Sequence, residues 1–410
     1  MNKKEILIIS FFFQPFNTIG AVRVSAWVKY LQDRGYVVHV VTAKRNRNLN
    51  LSIAKNINIH YVKWPNADRL LNLSEKYPRC RLLWFLARLA NRLAIPSATT
   101  LPEGGIAVWR FFALRKAKQI IKNNNIGLIY TSSGPVSSAI IGSKLAKKFN
   151  LPWIPEFRDL WAKNVYVKSN KFNLKREKKV LAHSSQIVAI NKMLKIELEG
   201  VHGKPVKVVY NGFVYKNELP VSKNKKLVIS YLGTIIPEKR DPSVLFQAIG
   251  GLFKEGKISS HDLIVNFYGY GSTYLKSLIR KYNLDDIIKN KGYVSFKESI
   301  EIQKNSNILL LLSWNNRLDQ ATPGKLFEYI GMKKPILAIC YPGEIKEILD
   351  KTGTGIIIND VDKMKEFLLY AIKNYKTDPN LGFTFNEKEI SKFSREYQYR
   401  ELEQIVLKYL

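Results

Sequence analysis

The chain has 410 residues, 46% of them hydrophobic, and a net charge of +33 from 66 Lys/Arg against 33 Asp/Glu. That length suits two domains with a core each, and the apolar runs have strand length rather than the ~18 residues of a membrane span, so no transmembrane helix is expected. The start, Met-Asn-Lys-Lys-Glu, passes straight into a strand, so no signal peptide is expected, and Cys80 and Cys340 lack metal-ligand spacing, which fits a reduced cytoplasmic protein.

Strand and helix patterns alternate almost throughout, the signature of parallel α/β architecture. Ile6 to Phe12 reads as the first strand, Ala21 to Arg34 as a helix ending at Gly35, Val37 to Thr42 as the second strand and Ile57 to Trp64 as the third. Ile126 to Thr131 leads through Ser132-Ser133-Gly134-Pro135 into a small-residue helix ending at Phe149; Trp153 to Glu156, Gln186 to Ile190 and Val206 to Tyr210 complete a first domain, residues 1–213. A polar linker, 214–226, separates it from a second domain, 227–386. There the strands are Leu227 to Leu232, Leu263 to Tyr268, a short one near Tyr293, Ile308 to Leu312, Pro335 to Ile339 and Gly355 to Ile358. Residues 387–410 read as one charged amphipathic helix.

Ligands of open α/β sheets bind beyond the carboxyl ends of the strands, so those loops carry the chemistry. In Gln320 to Ala338, Thr322 is a natural N-cap, Pro323 suits a first helical position and Gly324 follows. The helix start is an anion site; Lys325 adds a charge beside it, and Glu328, one turn on, suits a ribose diol. Together they point to a nucleoside diphosphate. Gly20 sits at the helix start after the first strand, where backbone can approach a phosphate or sugar. Glu156-Phe157-Arg158-Asp159-Leu160-Trp161 places five polar or aromatic side chains at a strand end. Gly233 and Thr234 follow the second domain's first strand, with Lys239 and Arg240 shortly after, and Tyr268-Gly269-Tyr270-Gly271-Ser272 lacks the third glycine of a dinucleotide fingerprint. Asp362, in Asp360-Val361-Asp362, reads as an N-cap rather than a metal ligand, and the five histidines form no hydrolase-like arrangement.

The segment around Glu328 resembles the donor-binding motif of retaining glycosyltransferases of family 4, whose closest branch reads Pro-Ser-Lys-Leu-Phe-Glu-Tyr. Glu328 matches the second of the motif's two glutamates, the ribose ligand; Gln320 stands where the first belongs. Residues 156–161 are similar to the branch's Asp-Phe-Arg-Asp-Pro-Trp, with Glu156 and Leu160 as departures. Leu101-Pro102-Glu103 with Trp109, and Ser132-Ser133-Gly134-Pro135, also match. The resemblance implies the GT-B fold: two Rossmann-like domains facing across a cleft, with the C-terminal helix crossing back to the first. It implies a hexosyltransferase-type, metal-independent enzyme without cofactor. Donor contacts fall to Gly20, Gly233, Thr234 (for the usual arginine), Lys239 and Arg240. Further contacts fall to Gly269, Tyr293, Thr322, Pro323, Gly324, Lys325 and Glu328. Lys239 and Lys325 would stabilise the departing diphosphate, and Asp159, with Arg158, would stand on the acceptor side.

Residues 1–200 hold 34 Lys/Arg against 10 Asp/Glu, and residues 201–410 hold 32 against 23, so the polyanionic partner belongs to the first half. In Arg81 to Ile95, Arg81, Arg88 and Arg92 fall in a stripe roughly 40° wide on an otherwise apolar helix that includes Trp84. That helix is either buried, in the first domain or a dimer, or laid on an anionic membrane surface. The expected function is transfer of a sugar, UDP-sugar favoured, to a glycan or polyprenol-linked saccharide in bacterial surface polysaccharide (capsule or lipopolysaccharide) biosynthesis, by a cytoplasmic protein peripheral at the inner face of the cell membrane. A nucleotide-sugar epimerase of the same fold is one alternative. A non-enzymatic nucleic-acid-binding protein is another, although no recognition motif is present and no nucleic acid is expected.

Overall fold

The computed structural model describes residues 4–16, 18–44, 58–64, 80, 82, 85, 106–163, 171–214, 224–270, 272–314 and 322–410. No helix among them is long and apolar enough to cross a membrane. Contacts divide the chain into two compact units, Met1–Tyr210 with Tyr399–Leu410, and Asn211–Gln398. The change of unit at Tyr210 lies just ahead of the expected linker, most of which (215–223) is outside the described residues.

The first unit runs β1 (Glu5–Ser10), α1 (Ile19–Asp33), β2 (Val38–Ala43), β3 (Asn58–Val62), α2 (Ile106–Asn123), β4 (Ile126–Ser133), α3 (Ser137–Phe149), β5 (Trp153–Phe157), α4 (Lys171–Leu181), β6 (Ile187–Ala189), α5 (Lys192–His202) and β7 (Val206–Val208). Ile6, Leu7, Ile8 and Ile9 are all fully enclosed, as expected where a parallel sheet is covered on both faces. The sheet order is β3-β2-β1-β4-β5-β6-β7, every pairing parallel. Strand order therefore reverses between β1 and β4, and the loops leaving them, after Ser10 and Ser133, flank the switch point where such sheets bind ligands.

The second unit runs β8 (Leu227–Leu232), α6 (Ser243–Lys254), β9 (Leu263–Tyr268), α7 (Ser272–Tyr282), β10 (Ile288–Gly292), α8 (Phe296–Asn305), β11 (Ile308–Leu312), α9 (Gly324–Gly331), β12 (Ile336–Ile339), α10 (Gly343–Thr352), β13 (Gly355–Ile357), α11 (Val361–Asn374) and α12 (Glu387–Ser391). Its parallel sheet is ordered β10-β9-β8-β11-β12-β13, so its switch point lies between β8 and β11.

The terminal segment is not the single helix expected from its periodicity. α12 stops at Ser391 and α13 (Arg395–Leu407) begins four residues later. Between them the backbone pairs with Phe213, whose N–H donates to the Phe393 carbonyl at 3.2 Å and whose carbonyl accepts from the Arg395 N–H at 2.8 Å. That pairing takes hydrogen bonds a continuous helix would need. From Tyr399 onward the chain belongs to the first unit, as expected for a helix crossing back. There the Tyr399 hydroxyl donates to the Arg23 carbonyl at 2.7 Å, and its ring meets Trp27 and Tyr30 of α1. Glu403 accepts from Tyr30 at 2.8 Å and from Tyr36 at 3.1 Å.

Candidate active site

In the second unit the glycine loops leaving β8, β9 and β10 are joined backbone to backbone. Gly233 donates to the Tyr268 carbonyl, and Gly269 to the Gly292 carbonyl, each at 2.8 Å. Gly269 has φ +130°, and a Cβ on it would stand 2.3 Å from the Gly233 carbonyl oxygen, so only glycine fits. Beyond these turns Tyr270 and Tyr293 project into solvent and stack on each other, ring centroids 5.6 Å apart. Tyr270 belongs to the strand-end loop 268–272, in which Gly269 alone is singled out as a contact from the sequence.

After Gly233, the Thr234 carbonyl accepts from the Tyr231 hydroxyl at 3.0 Å. Burial pushes that hydroxyl up to about 12 against the opposing charge of Arg240, so Arg240 is already engaged with Tyr231. Lys239 holds its ammonium 4.3 Å over the Trp314 ring, a cation–π contact across the switch point between β8 and β11. Trp314, two residues beyond β11, is a further residue that strand-end reasoning could have found.

The start of α9 differs from its expected cap. Pro323, extended, is the N-cap, and among the described residues no side chain caps this end. Thr322 instead donates its hydroxyl to the carboxylate of Glu344, buried at the start of α10. The Leu326 N–H bonds back to the Pro323 carbonyl at 3.0 Å, and a helix start of this kind suits an anion. Lys325 and Glu328 stand on one face with Nζ and Oε2 3.9 Å apart, both partly exposed. On the inner face the Tyr329 hydroxyl accepts from the Leu232 N–H at 3.3 Å, tying α9 to the end of β8. Gln320 lies outside the described residues. Asp360 rather than Asp362 caps α11, accepting from the Asp362 and Lys363 N–H groups, because the helix starts two residues earlier than expected.

In the first unit the Arg158 guanidinium lies against the start of α1: a Cβ on Gly20 would overlap it. Arg158 donates to the Gly134 carbonyl at 2.8 Å, while its Nε is buried without a partner. The neighbouring Ser133 and Ser138 hydroxyls are also buried and unpartnered. Burial holds the Arg158 guanidinium below its ordinary value, with Glu156 and Asp159 opposing. Asp159 is exposed beside it. Arg81, Trp84, Arg88 and Arg92 lie outside the described residues, although Leu82 and Phe85 between them are helical and exposed.

Glu156 has a role that its departure from the motif did not suggest. It pairs with Arg23 of α1 at 2.8 Å and accepts from Tyr130 at 2.7 Å and Ser132 at 2.9 Å, all buried. Arg23 also donates to the carbonyls of Val209 and Tyr210, where the first unit ends. This network is structural. Among the described residues no group of three or more His, Cys, Asp or Glu side chains is placed to hold a metal ion.

Two family models match: "Glycosyltransferase Family 4" over residues 20–214 and "Glycosyl transferases group 1" over residues 216–383. No curated protein sequence matches the chain. Among solved structures, the lipopolysaccharide outer core galactosyltransferase WaaB in apo form is 15% identical, with 99% of this chain and 100% of that chain covered at a TM-score of 0.61. Sucrose-phosphate synthase from Thermosynechococcus elongatus is 14% identical, with 99% of both chains covered at a TM-score of 0.66. Anabaena HepE in complex with UDP-glucose is 13% identical, with 99% of this chain and 100% of that one covered at a TM-score of 0.63. At such identities these likenesses speak for the fold, and the two family models, which between them span most of the chain, speak for the chemistry: the chain is a family-4-like glycosyltransferase of the GT-B fold.

Proposed function

We propose that this glycosyltransferase is a metal-independent, retaining hexosyltransferase. It moves a sugar from a UDP-sugar to a lipid-linked saccharide during bacterial surface polysaccharide assembly, at the inner face of the cell membrane. The observation that carries the donor side is the start of α9, which has no side-chain cap and bears Lys325 and Glu328 on one face. The diphosphate sits at that helix start with Lys325, Glu328 holds the ribose diol, and the exposed Tyr270–Tyr293 pair offers the base a stacking partner. HepE, crystallised with UDP-glucose, supports the choice of uracil as the base, and the likeness to WaaB, a lipopolysaccharide outer core galactosyltransferase, supports a surface glycan as product.

In the reaction, the bond from the anomeric carbon to the diphosphate breaks and the acceptor oxygen bonds to the same face of that carbon. The acceptor hydroxyl's proton passes to the departing phosphate oxygen, and the nucleoside diphosphate leaves with the bonding electrons. Lys239, Lys325 and the α9 N–H groups stabilise that developing charge, the term that often dominates catalysis. Asp159 and Arg158 serve the acceptor side. The unpartnered Arg158 Nε and Ser133 hydroxyl support this, because such groups cost about 1–3 kcal/mol each until a polar ligand meets them.

Thermal unfolding with UDP, GDP and ADP tests the donor side. UDP at a hundredfold excess over its Kd stabilises the protein by about 2.7 kcal/mol. In Glu328→Ala that shift is lost while the unliganded melting temperature stays put. A GDP or ADP shift in place of the UDP shift reassigns the base, and no shift with any nucleotide overturns the reading.

A further inference from the structure

Helix α2 has an unusual outer face. Trp109, Ala113, Ala117 and Ile120 are buried on the sheet side. Val108, Phe111, Phe112, Arg115, Gln119 and Lys122 are exposed, and at 3.6 residues per turn they form a single stripe about 100° wide. Phe111 is 70% exposed and meets Phe112 edge-on at 5.6 Å. The helix carries Arg110, Arg115, Lys116, Lys118 and Lys122 and no carboxylate. The stripe is therefore apolar at its amino-terminal end and cationic at its carboxyl-terminal end.

We propose that this stripe docks the enzyme on an anionic lipid bilayer, with Val108, Phe111 and Phe112 entering the interface and Arg115 and Lys122 against headgroup phosphates. A bilayer with acidic headgroups satisfies both ends of the stripe. A second copy of the chain would bring one all-cationic helix against another. A nucleic-acid backbone would neutralise the cations but offer Val108 and the phenylalanine pair no apolar partner.

The direction of the helix gives the docking a purpose. Its amino-terminal end is fixed by Trp109, whose ring meets Phe11 edge-on at 5.2 Å, one residue beyond β1. The apolar end of the stripe thus lies at the strand-end side of the sheet, the side that binds ligands. A lipid-linked acceptor would reach the first unit from that side. This last step rests on the acceptor reading above; the docking itself rests on the helix alone.

The full chain is co-sedimented with vesicles of phosphatidylcholine alone and of phosphatidylcholine mixed with phosphatidylglycerol. The wild type is expected to partition onto the acidic vesicles only. Phe111→Ser with Phe112→Ser weakens that partition about tenfold or more at any salt concentration. Arg115→Glu with Lys122→Glu weakens it by a similar factor at low salt, and the difference fades at high salt. Both double variants keep the wild-type melting temperature and UDP shift, so failure of lipid binding and failure of the donor reading are read separately. Equal binding to neutral vesicles, or variants that bind acidic vesicles like the wild type, overturns the proposal. So does binding to oligonucleotides, or a dimer broken by the phenylalanine substitutions, in a protein that ignores vesicles.

Discussion

Glu156 shows how much a single buried carboxylate organises here. Burial alone would raise its pKa, but the Arg23 charge and the hydrogen bonds from Arg23 and Tyr130 overcome this and hold it below the ordinary carboxylate range. The partner responds in kind: burial alone would lower the Arg23 guanidinium, and the Glu156 charge raises it instead. A carboxylate depressed in the folded state stabilises fully above its unfolded value of 4.5, and the contribution fades as pH falls through the lower folded value. Glu156→Gln keeps the shape and leaves Arg23 uncompensated, at a cost of about 3–5 kcal/mol. Urea unfolding at neutral pH reads that cost directly. Repeating it below pH 4.5 should narrow the gap between wild type and variant, because the wild type then loses what the variant already lacks. A gap independent of pH would mean that Glu156 acts through packing rather than charge.

Elements whose signals are local were readable in the chain, and those set by a distant partner were not. The strands of the second unit announce themselves as continuous apolar runs: β8, β9 and β11 have the expected ends. The break between α12 and α13 has no local cause, because it is made by Phe213 some 180 residues earlier. Likewise Thr322 reads as a cap from its neighbours alone, but Glu344 takes its hydroxyl from outside the segment. Glu328 and Lys325 were legible because spacing along one helix face is enough to place them, whereas Arg23 drew no attention without its partner, 133 residues away, in view. The return of α13 onto α1 is a further non-local tie, and it is testable. Tyr399→Phe removes the hydroxyl that donates to the Arg23 carbonyl while keeping the ring against Trp27 and Tyr30. It should lower unfolding stability by about 1 kcal/mol. Tyr399→Ala, which also leaves a void in the aromatic cluster, should cost about 3–5 kcal/mol. Equal losses for the two variants would mean that the hydrogen bond, not the ring packing, fastens the helix.

For the molecule as a whole, the question is how a chain with such an excess of positive charge spends it. The first 200 residues hold most of the imbalance, and α2 displays part of it on an outer face. In the second unit the cations are fewer but set beside strand ends and a helix start: Lys239 above Trp314, Lys325 at the head of α9. A departing diphosphate needs compensating charge, whether from a divalent ion or from the protein. If Lys325 and the uncapped helix start supply it, stripping the enzyme with a chelator leaves turnover unchanged and added magnesium does not raise it. Lys325→Ala then lowers kcat about 10²-fold while KM for the donor changes far less, because the charge matters most once the bond is breaking. A chelator-sensitive rate, restored by a divalent ion, would instead make the metal the counter-charge. Lys325→Ala acting on KM alone would reduce that lysine to a ground-state contact. The pair of measurements separates the two sources of charge, since only a protein-borne counter-charge predicts an insensitive rate in one and a falling kcat in the other.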